Sequence, residues 1–87
     1  MTERVILIQN EVGLHARPAT FFIQKSNSYK STILIEKSTR RANAKSLLGV
    51  LSLGIEQGDE ILIKADGVDE AEAVDGLASL LLSGFNE

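Results

Sequence analysis

Cysteine is absent from the chain. Disulfides and thiolate-held zinc are thereby excluded, and a reducing compartment suits the protein. Tryptophan is absent too, and three Phe and one Tyr are the only large aromatic rings. Aliphatic side chains must therefore fill the core. A hydrophobic share of 44% is ordinary for a globular protein and allows one small domain, residues 1–87. Positive charge is not in excess: the net charge is −3, which argues against general nucleic-acid binding, since that needs a basic face. The cations are dispersed apart from Arg40-Arg41, which marks a polar turn. No long apolar stretch opens the chain. Val5-Ile6-Leu7-Ile8, after Met1-Thr2-Glu3-Arg4, is too short for a signal-peptide core or a membrane span. A soluble cytoplasmic protein without membrane insertion is expected.

Histidine and proline occur once each, and both fall in Gly13-Leu14-His15-Ala16-Arg17-Pro18-Ala19. A histidine can be neutral near pH 7 and still exchange protons readily. The neutral imidazole has one free ring nitrogen, which can act as a nucleophile or a metal ligand. Arg17 is a permanent cation whose forked donors match phosphate. Pro18 favours the first turn of a helix, and Ala19, Phe22 and Ile23 follow at helical spacing. A helix start near Ala16 to Pro18 would set free N–H groups and the positive end of the helix dipole beside His15. Gly13 allows a sharp turn just before. Together these residues form a receptor for a phosphoryl group. A self-contained hydrolase or a metal module would need a second base or ligand set, and one histidine without cysteine does not supply it. No metal and no cofactor is expected.

Hydrophobic periodicity predicts strands over Glu3 to Gln9, Ser31 to Lys37, Arg41 to Ala44 and Glu60 to Ala65. Ile6, Ile8, Ile33, Ile35, Ile61, Ile63 and Ala65 face inward in this reading. A helix is predicted from Ala16 to Ser28, with Ala19, Phe22, Ile23 and Ser26 on its buried face. Phe21 falls off that stripe, toward the His15 end. A short helix covers residues 45–54, with Ser46 as a natural N-cap. A last helix starts at Asp69 as N-cap with Glu72 in an acidic variant of the capping box. It buries Ala73, Val74, Leu77, Leu80 and Leu81, is weakened at Gly76, and ends at Gly84. The order β-α-β-β-α-β-α gives an α+β two-layer fold with the helices on one face of the sheet.

Leu14-His15-Ala16-Arg17-Pro18-Ala19-Thr20 resembles the active-site signature of HPr, the histidine-containing phosphocarrier family of the bacterial phosphoenolpyruvate:sugar phosphotransferase system. Asn43-Ala44-Lys45-Ser46-Leu47-Leu48-Gly49-Val50-Leu51-Ser52-Leu53-Gly54 resembles that family's regulatory-serine segment. Residues 65–73, Ala-Asp-Gly-Val-Asp-Glu-Ala-Glu-Ala, are similar to its approach to the last helix.

The resemblance implies an open-faced β-sandwich, a four-stranded antiparallel sheet with three helices on one face. It implies a carrier, not an enzyme, that accepts a phosphoryl group on Nδ1 of His15 from phospho-Enzyme I. Arg17 and the N–H groups of Ala16 and Arg17 would steady the charge, and the group would pass to EIIA domains of sugar transporters. Gly49 matches the Gram-positive type. In that type the serine matching Ser46 is phosphorylated by HPr kinase/phosphorylase, and the phosphoserine form binds a catabolite control repressor. Thr20, Phe21, Leu47, Leu48 and Leu51 form the expected docking patch for partners. Many relatives carry methionine at 48 and 51; leucine is stiffer, which bears on partner preference. Ala42 stands where a larger aliphatic is usual. A carrier for nitrogen or regulatory signalling, and a regulatory binding protein acting through Ser46, remain as alternatives. A monomer is the simplest expectation for a carrier that presents one face to several partners.

Overall fold

β-branched residues such as Ile33, Ile35, Ile61 and Ile63 recur at every second position and are buried, so their strands have one face to bury. The computed structural model describes residues 1–83. The elements are β1 (Thr2–Leu7), α1 (Ala16–Asn27), β2 (Thr32–Lys37), β3 (Arg40–Asn43), α2 (Leu47–Ser52), β4 (Glu60–Asp66) and α3 (Glu70–Leu82). The four strands make one antiparallel sheet in the order β1-β4-β2-β3. The fold is the expected α+β open-faced β-sandwich. Element ends differ from the sequence-based expectation by one or two residues, and the short helix is trimmed to Leu47–Ser52. Gly84, expected to end α3, lies outside the described residues.

The core is aliphatic, as the shortage of aromatics requires. Ile33 and Ile35 of β2 and Ile61, Ile63 and Ala65 of β4 are buried in register, with Ile6 opposite Ile61. Ile8 lies just past the end of β1 and is still buried. Each of these isoleucines contributes about 1.5–3 kcal/mol of burial. Phe22 and Ala19 of α1 and Ala73, Val74, Leu77, Ala78 and Leu81 of α3 close the core from above. Two expected core positions move outward: Leu80 and Ile23 are half-buried, and Ala78 takes a fully buried place on α3. A stripe read at fixed helical spacing misses the tilt of a helix on a twisted sheet. Leu14, Ala44, Val50, Leu53 and Ile55 join the core from loops and the short helix, where no periodicity marks them.

The expected capping box on α3 does not form. Asp69 is the N-cap, but its side chain does not cap its own helix. It accepts instead from the Ser31 hydroxyl and from the N–H groups of Lys30 and Ser31, tying the end of α1 to the start of α3. Those donors hold the Asp69 carboxyl below its ordinary value. Glu72 makes no cap; Glu70 takes that part, accepting from the Gly67 N–H at 3.3 Å. Gly76 has a packing reason inside α3: a methyl group there would fall on the Tyr29 hydroxyl.

Edge strand β1 is fastened to α3 by polar side chains on its inner face. The Arg4 guanidinium meets Asp75 at 2.6 Å. The Thr2 hydroxyl donates to Glu70 at 2.6 Å, and the Met1 ammonium lies 3.0 Å from the same oxygen. The Thr2 hydroxyl first, then that ammonium and the Gly67 N–H, hold the Glu70 carboxyl down to about 2, against an ordinary 4.5. A carboxylate with a depressed pKa stabilises the fold fully above its unfolded value. The contribution of Glu70 is thus complete above pH 4.5 and disappears as the pH falls through about 2. Thermal unfolding followed between these pH values is expected to show a falling midpoint that Glu70→Gln makes shallower. Parallel curves for the two proteins would contradict the assignment.

Candidate functional site

His15 reaches the surface from a turn laid against a second loop. After β1, the Ile8 N–H donates to the Asp59 carbonyl and the Gly58 N–H to the Ile8 carbonyl. The Gln57 amide donates to the Gln9 carbonyl. Asn10 closes the turn, its side-chain amide donating to the Gly13 carbonyl at 2.7 Å while its own carbonyl accepts from the Gly13 N–H. The Leu14 N–H then donates to the Ile55 carbonyl at 3.0 Å, and the Leu14 side chain is buried. Gly13 has φ +58°, and a Cβ there would run into the Ile55 carbonyl and the Glu56 backbone. Glycine is needed both for the left-handed conformation and for the close approach.

The opposing loop is itself braced. The Lys37 ammonium lies 2.8 Å from both the Gly54 carbonyl and the Asp59 carboxylate, and that carboxylate also accepts from the Glu56 N–H. The Lys37 bond first, and then the Glu56 N–H, lower the Asp59 pKa from its ordinary value. Lys37 and Asp59 carry no motif; only the tertiary structure reveals that they hold the floor under Leu14 and His15.

His15 is the N-cap residue of α1, with extended backbone, an exposed side chain and no side-chain capping bond. The helix starts at Ala16, as expected, and Pro18 sits in its first turn, where its missing N–H costs nothing. Among the described residues, no backbone acceptor meets the N–H of Ala16 or of Arg17. These two donors and the helix dipole lie next to the imidazole. Ala16 itself has φ +40°. A non-glycine residue there costs about 1–2 kcal/mol. Strain of this kind stands where neighbours over-determine the backbone, here the buried Leu14 on one side and the helix on the other.

Arg17 is exposed, and its guanidinium lies 5.5 Å from the centroid of the half-buried Phe21 ring. His15 also borders a shallow depression of about 430 Å³, lined with it by Glu11, Val12, Glu56 and Gln57. Arg17 does not line it. Glu11 and Glu56 bring negative charge to that depression, an arrangement with no sequence signal because the two belong to different loops. No group of three or more acidic, histidine or cysteine side chains is placed to hold a metal ion among the described residues.

Ser46 is half-buried as the N-cap of α2, its hydroxyl accepting from the Gly49 N–H at 3.1 Å. A Cβ at Gly49 would press on Ser46 and on Ala42, so glycine at 49 and the small residue at 42 fit one another. Of the expected docking residues, Thr20, Leu47 and Leu48 are exposed, Leu48 at 82%. Phe21 and Leu51 are half-buried, and Leu51 packs against the core. Helices α1 and α2 pack together, and the Asn27 amide donates to the carbonyls of Ile23 and Lys45 across their junction.

Comparison with known proteins is decisive for the family. The model described as PTS HPr component phosphorylation site matches residues 2–83. The chain belongs to the HPr family. It is thus an HPr-type phosphocarrier of the phosphotransferase system, not an enzyme in its own right. The HPr-like protein Crh of Bacillus subtilis is 38% identical over 79 residues, covering 91% of this chain and 93% of its own. A crystal structure of HPr from Thermoanaerobacter tengcongensis is 45% identical, covers 100% of this chain and 98% of its own, and superposes with a TM-score of 0.97. A crystal structure of Crh from Bacillus subtilis, 34% identical with both chains fully covered, has a TM-score of 0.77 and is described as a dimer with swapping. That dimer runs against the expectation of a monomer drawn from the HPr resemblance.

The fit of Gly13 against residues 55–56 has a measurable consequence. Gly13→Ala is expected to lose about 2–4 kcal/mol in urea denaturation, from the left-handed backbone together with the overlap. A variant as stable as the parent would show that the two loops are not in close contact.

Proposed function

We propose that this HPr-family chain accepts a phosphoryl group on His15 from phospho-Enzyme I and passes it to EIIA domains of sugar transporters. The single observation that carries this reading is an exposed imidazole at a helix N-cap beside two N–H groups that meet no backbone acceptor among the described residues. A ring nitrogen attacks phosphorus in line; the new N–P bond forms as the bond to the donor breaks. Such transfer asks the protein mainly for positioning and charge stabilisation. The Ala16 and Arg17 N–H groups and the Arg17 guanidinium supply the stabilisation. Glu11 and Glu56 disfavour the anion in the depression they line, so it settles toward α1. Exposure keeps the grip weak enough for onward transfer. The site needs no resident cofactor or metal in this scheme, and the chain works in the cytoplasm as a single domain. Thr20, Phe21, Leu47, Leu48 and Leu51 offer the apolar docking surface beside the site.

His15→Ala is expected to fold normally and to take up no phosphoryl group. Intact mass after incubation with phosphoenolpyruvate and catalytic Enzyme I, repeated after mild acid, reads this directly. An acid-labile phosphoryl group on the variant would refute the assignment. We read the working form as a monomer; light scattering on the same samples should give a mass near 9.4 kDa, and twice that mass would favour a dimer like that of Crh.

A second reading gives Ser46 a regulatory role, supported by the Crh relatives and by the exposed edge of α2. A phosphate on an N-cap serine adds charge at the favourable end of the helix and leaves the fold little changed. Its effect falls on partners: slower transfer to His15, and binding to a catabolite control repressor. HPr kinase/phosphorylase with ATP is expected to add one acid-stable phosphoryl group, and Ser46→Ala to remove the acceptance. Equal labelling of the alanine variant would place the modification elsewhere. If no donor phosphorylates His15 while Ser46 is labelled, the protein is a regulatory binding protein and not a carrier.

A further inference from the structure

The position of the Arg17 guanidinium is unexpected for a group meant to hold phosphate. It does not line the depression that His15 borders; it lies on the Phe21 ring, 5.5 Å from the centroid. That distance is within cation–π range. The two residues are four apart on α1, so their side chains meet along one helix face. Phe21 is half-buried, which limits the ring's freedom, whereas Arg17 is exposed and its long side chain can move. Phe21 also lies off the buried stripe of Ala19, Phe22 and Ser26, so core packing does not account for an aromatic ring here.

Resting on the carrier reading above, we propose that Phe21 is a positioning residue: its ring holds the Arg17 guanidinium in reserve and competes with the His15 phosphoryl group for it. In the unmodified chain the ring is the better partner on offer. Once His15 carries a phosphoryl group, its anionic oxygens attract the guanidinium more strongly than the ring does, because both partners are then charged. Arg17 must leave the ring to bind them, so the phosphoryl grip is weaker by the strength of the lost ring contact. For an exposed pair that contact corresponds to about a two- to five-fold change in equilibrium. Phe21 thus tunes how readily the carrier gives its phosphoryl group away, without touching the phosphate.

The test is the equilibrium of phosphoryl transfer between stoichiometric Enzyme I and the carrier, read by intact mass. Phe21→Leu keeps an apolar side chain and removes the ring. It is expected to shift the equilibrium two- to five-fold toward the phosphorylated carrier, while Phe21→Tyr stays near the parent. In an Arg17→Gln background, Phe21→Leu should produce no shift, which a merely structural role of Phe21 would not predict. In NMR of the unmodified parent, the Arg17 side-chain protons should show ring-current shifts that vanish on phosphorylation. An unchanged or lowered equilibrium constant for Phe21→Leu, an equal shift in the Arg17→Gln background, or ring-current shifts that survive phosphorylation would overturn the inference. A parent protein that takes up no acid-labile phosphoryl group would overturn the carrier reading and this inference together.

Discussion

The contact on which the site depends is between two loops: the turn at Asn10–Leu14 lies on residues 55–59, joined by the Leu14 N–H to the Ile55 carbonyl. Gly13 makes the approach possible and the buried Leu14 makes it stable. The Lys37 ammonium holds the far loop by bonding Gly54 and Asp59 together. Because the turn is fixed there, α1 begins at a defined place, and His15 is left at its N-cap with its side chain in solvent. The same ammonium touches the segment that leaves α2, so the helix capped by Ser46 and the loop beneath His15 share one brace.

Chemically, the surroundings of His15 are asymmetric. At the start of α1 lie N–H groups that meet no backbone acceptor among the described residues, the helix dipole and the exposed Arg17; the depression carries Glu11 and Glu56. None of the groups is buried, so water competes with each of them. An exposed histidine beside helix donors suits a family of phosphoryl carriers.

Much of this was legible along the chain. The Ile33/Ile35 and Ile61/Ile63 alternations marked the central strands, and the Gly13 to Ala19 stretch marked the start of α1 with His15 beside it. Ser46 could be read as a cap because the capping preference is local. The errors share a cause. Asp69 looked like a cap for its own helix, yet its carboxylate is taken by Lys30 and Ser31, which are distant in sequence. Glu72 looked like its partner, but Glu70 is nearer the Gly67 N–H and the start of β1. Leu80 looked buried at helical spacing, and Ala78 fits better where α3 lies close to its neighbours. Gly76 keeps the propensity cost of a helical glycine, and the Tyr29 hydroxyl over it supplies the packing reason that the sequence could not show.

What the sequence determined alone is whatever depends on neighbours within one helical turn or one strand: the element order, the inward faces of the central strands, the start of α1 at His15 and the Ser46 cap. Backbone geometry sets those distances regardless of the rest of the molecule. The tertiary structure decided what depends on segments far apart in the chain. It set the strand order β1-β4-β2-β3, the seat of Gly13 on the 55–56 backbone, the Lys37–Asp59 brace, and the carboxylates of Glu11 and Glu56 on one wall. Charges and donors act through space over a few ångströms, and only the packed chain brings those groups to such distances.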